Sequence, residues 1–198
     1  MPVNMTGQHV IKVSYAGETL YQPSTGTAKL APYPDIVVNG SFEFGVNPPN
    51  IDGRSLSAGS TDLAGWSIVK EQIDWLGPTR WIASDGSRCL DMNGTPGVGA
   101  IQQVLPTVAG QDYVLKFDLA AEPDLGPRTS WIRVQVGSLT HDFSAVTTSS
   151  NTPSNMGWTT QTLTFRATAS TTALTFTSLD TTFTDTGPNL DNVRVNAY

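Results

Sequence analysis

Cysteine, histidine and charge are all scarce in this chain, and each shortage removes a class of function. A single cysteine, Cys89, excludes an intrachain disulfide framework. In Cys89-Leu-Asp-Met-Asn93 it alternates against Leu90 and Met92, which reads as a small side chain filling the other face of a strand. A cysteine nucleophile would want a histidine partner, and the two histidines, His9 and His141, lie in nothing like a catalytic motif. Asp, Glu, Lys and Arg make up only 14% of the residues and the formal charge is −6, so nucleic acid is not expected as a partner. No apolar run approaches the roughly 20 residues of a membrane-spanning helix, and no membrane insertion is expected. Met1–His9 shows neither the basic region nor the apolar region of a secretory signal.

What the chain does have is Thr, Ser, Asn and Gly, with Thr crowding the last third, a composition suited to β-branched strands rather than helices. Tyr113, Leu115, Phe117 and Leu119 alternate as one inward set, and Ile132, Val134 and Val136 as another. Leu163 with Phe165, and Leu174 with Phe176, read as further inward pairs. Gly45 to Asp62 is punctuated by Asn47-Pro-Pro-Asn50 and reads as a long loop, either a binding surface or a solvated crossover. Asp180 to Asp185 lacks the carboxylate spacing of an EF-hand and reads as a turn. Residues 1–34 differ in kind. His9–Tyr15 and Thr19–Gln22 read as two short strands around Ala16-Gly-Glu18, and Gln22 to Pro34 as an extended linker. The expectation is an all-β chain: an antiparallel jelly-roll β-sandwich over residues 35–198, with an N-terminal arm or hairpin over 1–34.

Two stretches organise that sandwich, Asp35-Ile-Val-Val-Asn-Gly-Ser-Phe-Glu43 and Asn189-Leu-Asp-Asn-Val-Arg-Val195. Ile36 and Val38 read as one face of a first strand. Segments with these two endings resemble the galactose-binding-like β-sandwich of many carbohydrate-binding modules, where first and last strands pair and share a calcium ion. The run Gly65-Trp66-Ser-Ile68, Ile73-Asp-Trp-Leu-Gly77, Trp81 to Arg88, Leu90-Asp-Met-Asn-Gly94, Ala109 to Leu119, Asn155-Met-Gly-Trp158 and Gly187 to Val193 is similar to the bacterial "choice-of-anchor C" group. The resemblance to carbohydrate-binding modules, the xylanase-associated ones in particular, implies a structural Ca2+ held by the Ser41 carbonyl, the Glu43 side chain, a side chain and a carbonyl from Asp85-Gly-Ser-Arg88, and Asp191. Hard oxygens of mixed origin are what calcium prefers. The same residues admit a second reading, in which Glu43 pairs with Arg88 or caps backbone amides.

Three of the five tryptophans, Trp66, Trp75 and Trp81, fall within sixteen residues. Aromatic faces stack on sugar rings, so Trp75 and Trp81 are candidates for ligand binding as well as for the core, while Trp66 and Trp158 read as core. Trp131, Arg133 and Gln135 share the outer face of their strand, a set suited to sugar or to a neighbouring subunit. Glu71, Asp74, Asp91, Asp118 and Glu122 supply carboxylates, but none sits in a recognisable acid/base setting and no nucleophile-elbow motif is present, so no enzyme is expected. The expected function is a non-catalytic module binding a polysaccharide or cell-surface glycan. It is expected outside the cell or on a particle surface, reached after trimming of a leader or by release of a virus particle. The alternative is a decoration or appendage protein of a phage particle or surface assembly, joined to that protein assembly through residues 1–34.

Overall fold

A computed structural model describes residues 33–94, 97–182 and 185–198, together with the backbone of two earlier strands. Those two, β1 (Val10–Tyr15) and β2 (Ser24–Lys29), pair antiparallel with each other. The domain then runs through β3 (Gly53–Ser57), β4 (Ser67–Lys70), β5 (Gln72–Leu76), β6 (Cys89–Asp91), β7 (Ala100–Pro106) and β8 (Asp112–Ala121). It continues through β9 (Arg128–Val136), β10 (Leu139–Thr147), β11 (Thr159–Arg166), β12 (Thr171–Ser178) and β13 (Pro188–Ala197). One sheet has the order β10-β9-β12-β7-β4 and the other β11-β8-β13-β6-β5-β3, with every pairing antiparallel. This is the jelly-roll sandwich expected. Among the described residues there is no helix, and so none long and apolar enough to cross a membrane.

Period-two alternation explains how the sheets close on each other. Ile132, Val134 and Val136 of β9 and Leu174 and Phe176 of β12 point inward from the five-stranded sheet, and all are buried. From the six-stranded sheet, Leu115, Phe117 and Leu119 of β8, Leu190 of β13, Leu90 of β6 and Ile73 of β5 meet them. Aromatic rings bridge the gap: Phe42 to Trp66 at 5.6 Å between centroids, Trp66 to Phe176 at 6.2 Å, and Phe117 to Phe176 at 5.1 Å edge-on. These tilted and edge-on pairs suit the ring quadrupoles.

Three local expectations are corrected. Residues 35–43 form no regular ladder strand. They lie against β13 through Ile36 N–H to the Val195 carbonyl (3.0 Å) and Val193 N–H to the Gly40 carbonyl (2.9 Å). A Cβ at Gly40 would collide with the Val193 carbonyl, so only glycine permits that approach. The Gln103 side chain takes the place of a neighbouring strand, accepting from Val38 N–H (2.7 Å) and donating to the Val38 carbonyl (2.9 Å). Ile36 is half-buried and Val38 is exposed, so the two do not share a face. Second, the stretch from Gly45 to Asp62 contains an edge strand, β3, whose Leu56 is buried while Ser55 and Ser57 stay exposed. Its polar alternate positions hid it, because edge strands need cover only one face. Third, β2 falls in the stretch read as linker, whereas the expected strand Thr19–Gln22 lies outside the described residues.

Candidate functional site

The residues expected to ring a calcium ion do converge, on the loop Ser84–Arg88 that crosses the outer face of the six-stranded sheet. Glu43 grips its end: Oε1 accepts from the amides of Ser87 and Arg88, both at 2.7 Å, while Oε2 accepts from the Ser87 hydroxyl at 2.9 Å and from Arg88 Nη1 at 2.7 Å. Gly86 turns between them at φ +73°, and a Cβ there would lie 2.5 Å from Glu43 Oε1. Asp191 grips the start, its Oδ2 accepting from the amides of Ser84 (2.7 Å) and Asp85 (2.8 Å) and its Oδ1 from that of Asn192 (2.6 Å). A bulge in β13 between Asp191 and Arg194, with Asn192 at φ 54°, lets both Asp191 and Asn192 serve this face before Val193 returns to the core. Asp118, opposite Asp191 on β8, completes the set by accepting from the Ser84 hydroxyl, Thr160 Oγ1 (2.6 Å) and Asn192 Nδ2 (2.9 Å). Ser41 sits half-buried in the turn that precedes Glu43, and the Asp85 side chain is exposed.

This arrangement does not fit a cation. Every partner of the Glu43 and Asp191 oxygens given above is an N–H or O–H donor, and the Arg88 guanidinium stands where a positive ion would have to balance Glu43. Burial works against ionisation of Glu43, yet the hydrogen bonds from Ser87 and Arg88 outweigh it and hold its carboxyl below the usual range. Burial pushes Asp191 up to about 8 against the pull of three amides. Among the described residues no three carboxylate, imidazole or thiol groups gather as a metal site. Of the five residues expected as a calcium shell, Glu43, Arg88 and Asp191 belong here to a clasp built from this chain's own donors. We expect melting of the purified protein to be unchanged in excess chelator; a fall of several degrees on adding it would restore the cation.

The tryptophans separate cleanly. Trp75 is fully buried in the main core, its Nε1–H donating to the Phe42 carbonyl at 2.8 Å. Trp81 is 3% exposed, in a second cluster with Leu76, Cys89, Ala120 and Met156 on the outer face of the six-stranded sheet. Neither presents a ring face to solvent, so both are corrected from surface stacking platforms to buried residues. The sequence could not show that loop Gly77–Arg88 covers the outer face of β5 and β6. Trp66 is buried as expected, and Trp158 is half-buried against the second cluster. Trp131 is different. It is 45% exposed on the outer face of the five-stranded sheet, with Arg133 and Gln135 beside it. Arg133 holds Asp142 of β10 in a two-pronged pair at 2.7 and 2.8 Å, and the guanidinium keeps that carboxyl low. Ser144 stands opposite Trp131, while Thr177 and Thr175 of β12 stand opposite Arg133 and Gln135.

In sequence, no curated protein matches the chain. Among solved structures it is similar to a family 35 carbohydrate binding module from Clostridium thermocellum, at 17% identity and TM-score 0.47, over 72% of this chain and 97% of that one. It is similar to a family 61 module solved with β-1,4-galactotriose, at 14% identity and TM-score 0.48, over 83% and 99%. It also matches arabinose-bound MgGH51 α-L-arabinofuranosidase, at 12% identity and TM-score 0.53, over 84% of this chain and 27% of that one. At 12% identity the match to the arabinofuranosidase is a likeness of fold alone. In sequence, the model of one family matches residues 35–196, which take in the whole sandwich, the clasp and the Trp131 face: the chain belongs to the DUF642 family, proteins of unknown function.

Proposed function

We propose that the domain is a non-catalytic glycan-binding module whose recognition surface is the outer face of β9, β10 and β12. The observation that carries this reading is the exposure of Trp131. Of the five tryptophans it alone is exposed, and it lies on a sheet strand rather than in a loop. An indole face offers a platform for the C–H side of a pyranose. The paired Arg133 and Asp142, with Gln135, Ser144 and Thr177, surround it with donors and acceptors already fixed in place. Fixed groups lose little freedom on binding, which is where rigid polar surfaces gain affinity.

Affinity electrophoresis against a panel of soluble plant and bacterial polysaccharides tests the reading. At least one polysaccharide is expected to retard the wild type, and Trp131→Ala to weaken that binding by about thirtyfold, the effect of losing a central aromatic contact worth about 2 kcal/mol. Its melting should stay within about 0.5 kcal/mol of the wild type, as for other surface substitutions. A wild type that binds none of the panel, or a Trp131→Ala variant that binds as well as wild type, would defeat the assignment.

A further inference from the structure

The sheet face around Trp131 carries almost no charge, and the two charges it does carry are closed on each other. Ile132, Val134 and Val136 of β9, Ala145 of β10 and Leu174 and Phe176 of β12 alternate into the core, which sets the outward positions of these strands. Apart from Arg133 and Asp142, every such position holds Thr, Ser, Gln, Ala, Val or Trp. Register places Arg133 and Asp142 directly opposite each other, next along the strands from the facing pair Trp131 and Ser144. At the Trp131 end, Asp180 accepts from the Trp131 amide at 2.8 Å and lies 4.0 Å from Arg128, so its carboxylate is matched too. Lys70 shares the row of Arg133 through Thr177 and Ala100, but three strands away. That is roughly 14 Å at about 4.8 Å per strand, beyond the screening length of about 8 Å at physiological salt.

Exposed ion pairs usually contribute little, but a two-pronged guanidinium–carboxylate pair is the exception. Here Nε and Nη2 of Arg133 each donate to one oxygen of Asp142, and both residues stand on strands already paired. An acidic sugar could claim the guanidinium only by displacing Asp142, which would leave two carboxylates around one cation. The net charge of −6 on the whole chain adds to that repulsion. A cationic sugar would find Asp142 already neutralised by Arg133. An uncharged sugar requires neither partner to be released. The guanidinium has N–H donors beyond the two in use, and each carboxylate oxygen accepts more than one hydrogen bond. Adjacent hydroxyls can therefore bridge the intact pair, one accepting from Arg133 and the other donating to Asp142.

We propose, resting on the reading of the Trp131 face as the glycan surface, that Asp142 sets its specificity. By holding the Arg133 guanidinium it restricts the face to uncharged glycans with adjacent hydroxyls and keeps uronate-bearing ones off. Without Asp142, the same strand would present a free two-pronged carboxylate receptor beside an exposed indole, a surface suited to acidic sugars.

The test measures binding of the full chain to immobilised galactomannan, β-glucan and arabinan, which are uncharged, and to immobilised polygalacturonate and alginate. Wild type is expected to bind at least one uncharged polysaccharide and neither acidic one. That binding should persist in about 1 M salt, where the screening length is about 3 Å. Asp142→Asn keeps the shape but releases the guanidinium. It is expected to bind an acidic polysaccharide about tenfold or more tighter than wild type does, the fold-change for a charge-assisted contact, and to lose that gain in the same salt. Asp112→Asn is the control. It changes the net charge equally and frees Arg166 from an exposed pair at 3.0 and 3.2 Å in the other sheet, and it should gain nothing. Both are surface substitutions and should melt close to wild type. An Asp142→Asn variant that gains no more than Asp112→Asn would overturn the role given to Asp142. So would a wild type that binds the acidic polysaccharides as tightly as the uncharged ones, and either result leaves the Trp131 surface standing. A wild type that binds none of these polysaccharides would overturn the Trp131 reading and this one with it.

Discussion

Trp75→Ala is expected to destabilise the domain by about 3–5 kcal/mol, the range for truncating a large aromatic in a closed core. For a domain of this size that is a drop in Tm on the order of 10 °C. Two effects add. The indole is fully buried in the main core beside Phe42 and opposite Leu90 of β6, and deleting it leaves a cavity that packed sheets close poorly. The Phe42 carbonyl also loses the donor that Trp75 Nε1 supplies at 2.8 Å. That second loss has a structural reach, because Phe42 sits at φ 57° in the turn that delivers Glu43 to the clasp. Denaturant melts of Trp75→Ala and Trp131→Ala side by side give the measurement. A Trp75→Ala protein that melts like wild type would mean that this indole does not hold the sandwich together.

That contrast shows what could be read from the chain and what could not. Alternation is enough to place Trp131 outside, because its strand neighbours Ile132, Val134 and Val136 are apolar and nothing else competes for the inner face. The same alternation puts Ile73 with Trp75 and Asp74 with Leu76, but does not say that both faces of β5 are covered. One is covered by the core and the other by the loop carrying Trp81, which is a long-range fact. The clasp was half legible. Glu43, Arg88 and Asp191 were drawn together by their resemblance to a known pattern, and the pairing of Glu43 with Arg88 stood as one of two readings. Asp118 was missed, since it reads as an ordinary outward residue of β8 until β13 is laid beside it and Asp191 falls opposite. That pairing comes from the β8-β13 order, and no local spacing encodes sheet order.

Asp191→Ala should cost about 3 kcal/mol or more, because it strips the acceptor from the amides of Ser84, Asp85 and Asn192 in a site where water reaches only part of the loop. Its pH dependence says which force rules the carboxyl. Burial lifts Asp191 from 3.8 to about 8 in the folded protein, with Asp85 adding to the lift. A group whose folded pKa is raised binds protons more tightly folded than unfolded, so its contribution to stability is whole below about 3.8 and declines as pH rises toward 8. The gap in Tm between wild type and Asp191→Ala should therefore be widest in mild acid and narrow steadily as pH rises through that window. The neighbouring carboxyls Asp118 and Glu43 are held low by their own donors, so they are already charged across the upper part of the window and add little slope there. If amide hydrogen bonding governed Asp191 instead, the carboxylate would be the favoured form and the gap would widen with pH. Thermal melts of both proteins from pH 5 to pH 9 separate the two: a widening gap would show that three backbone amides outweigh burial at the centre of the clasp.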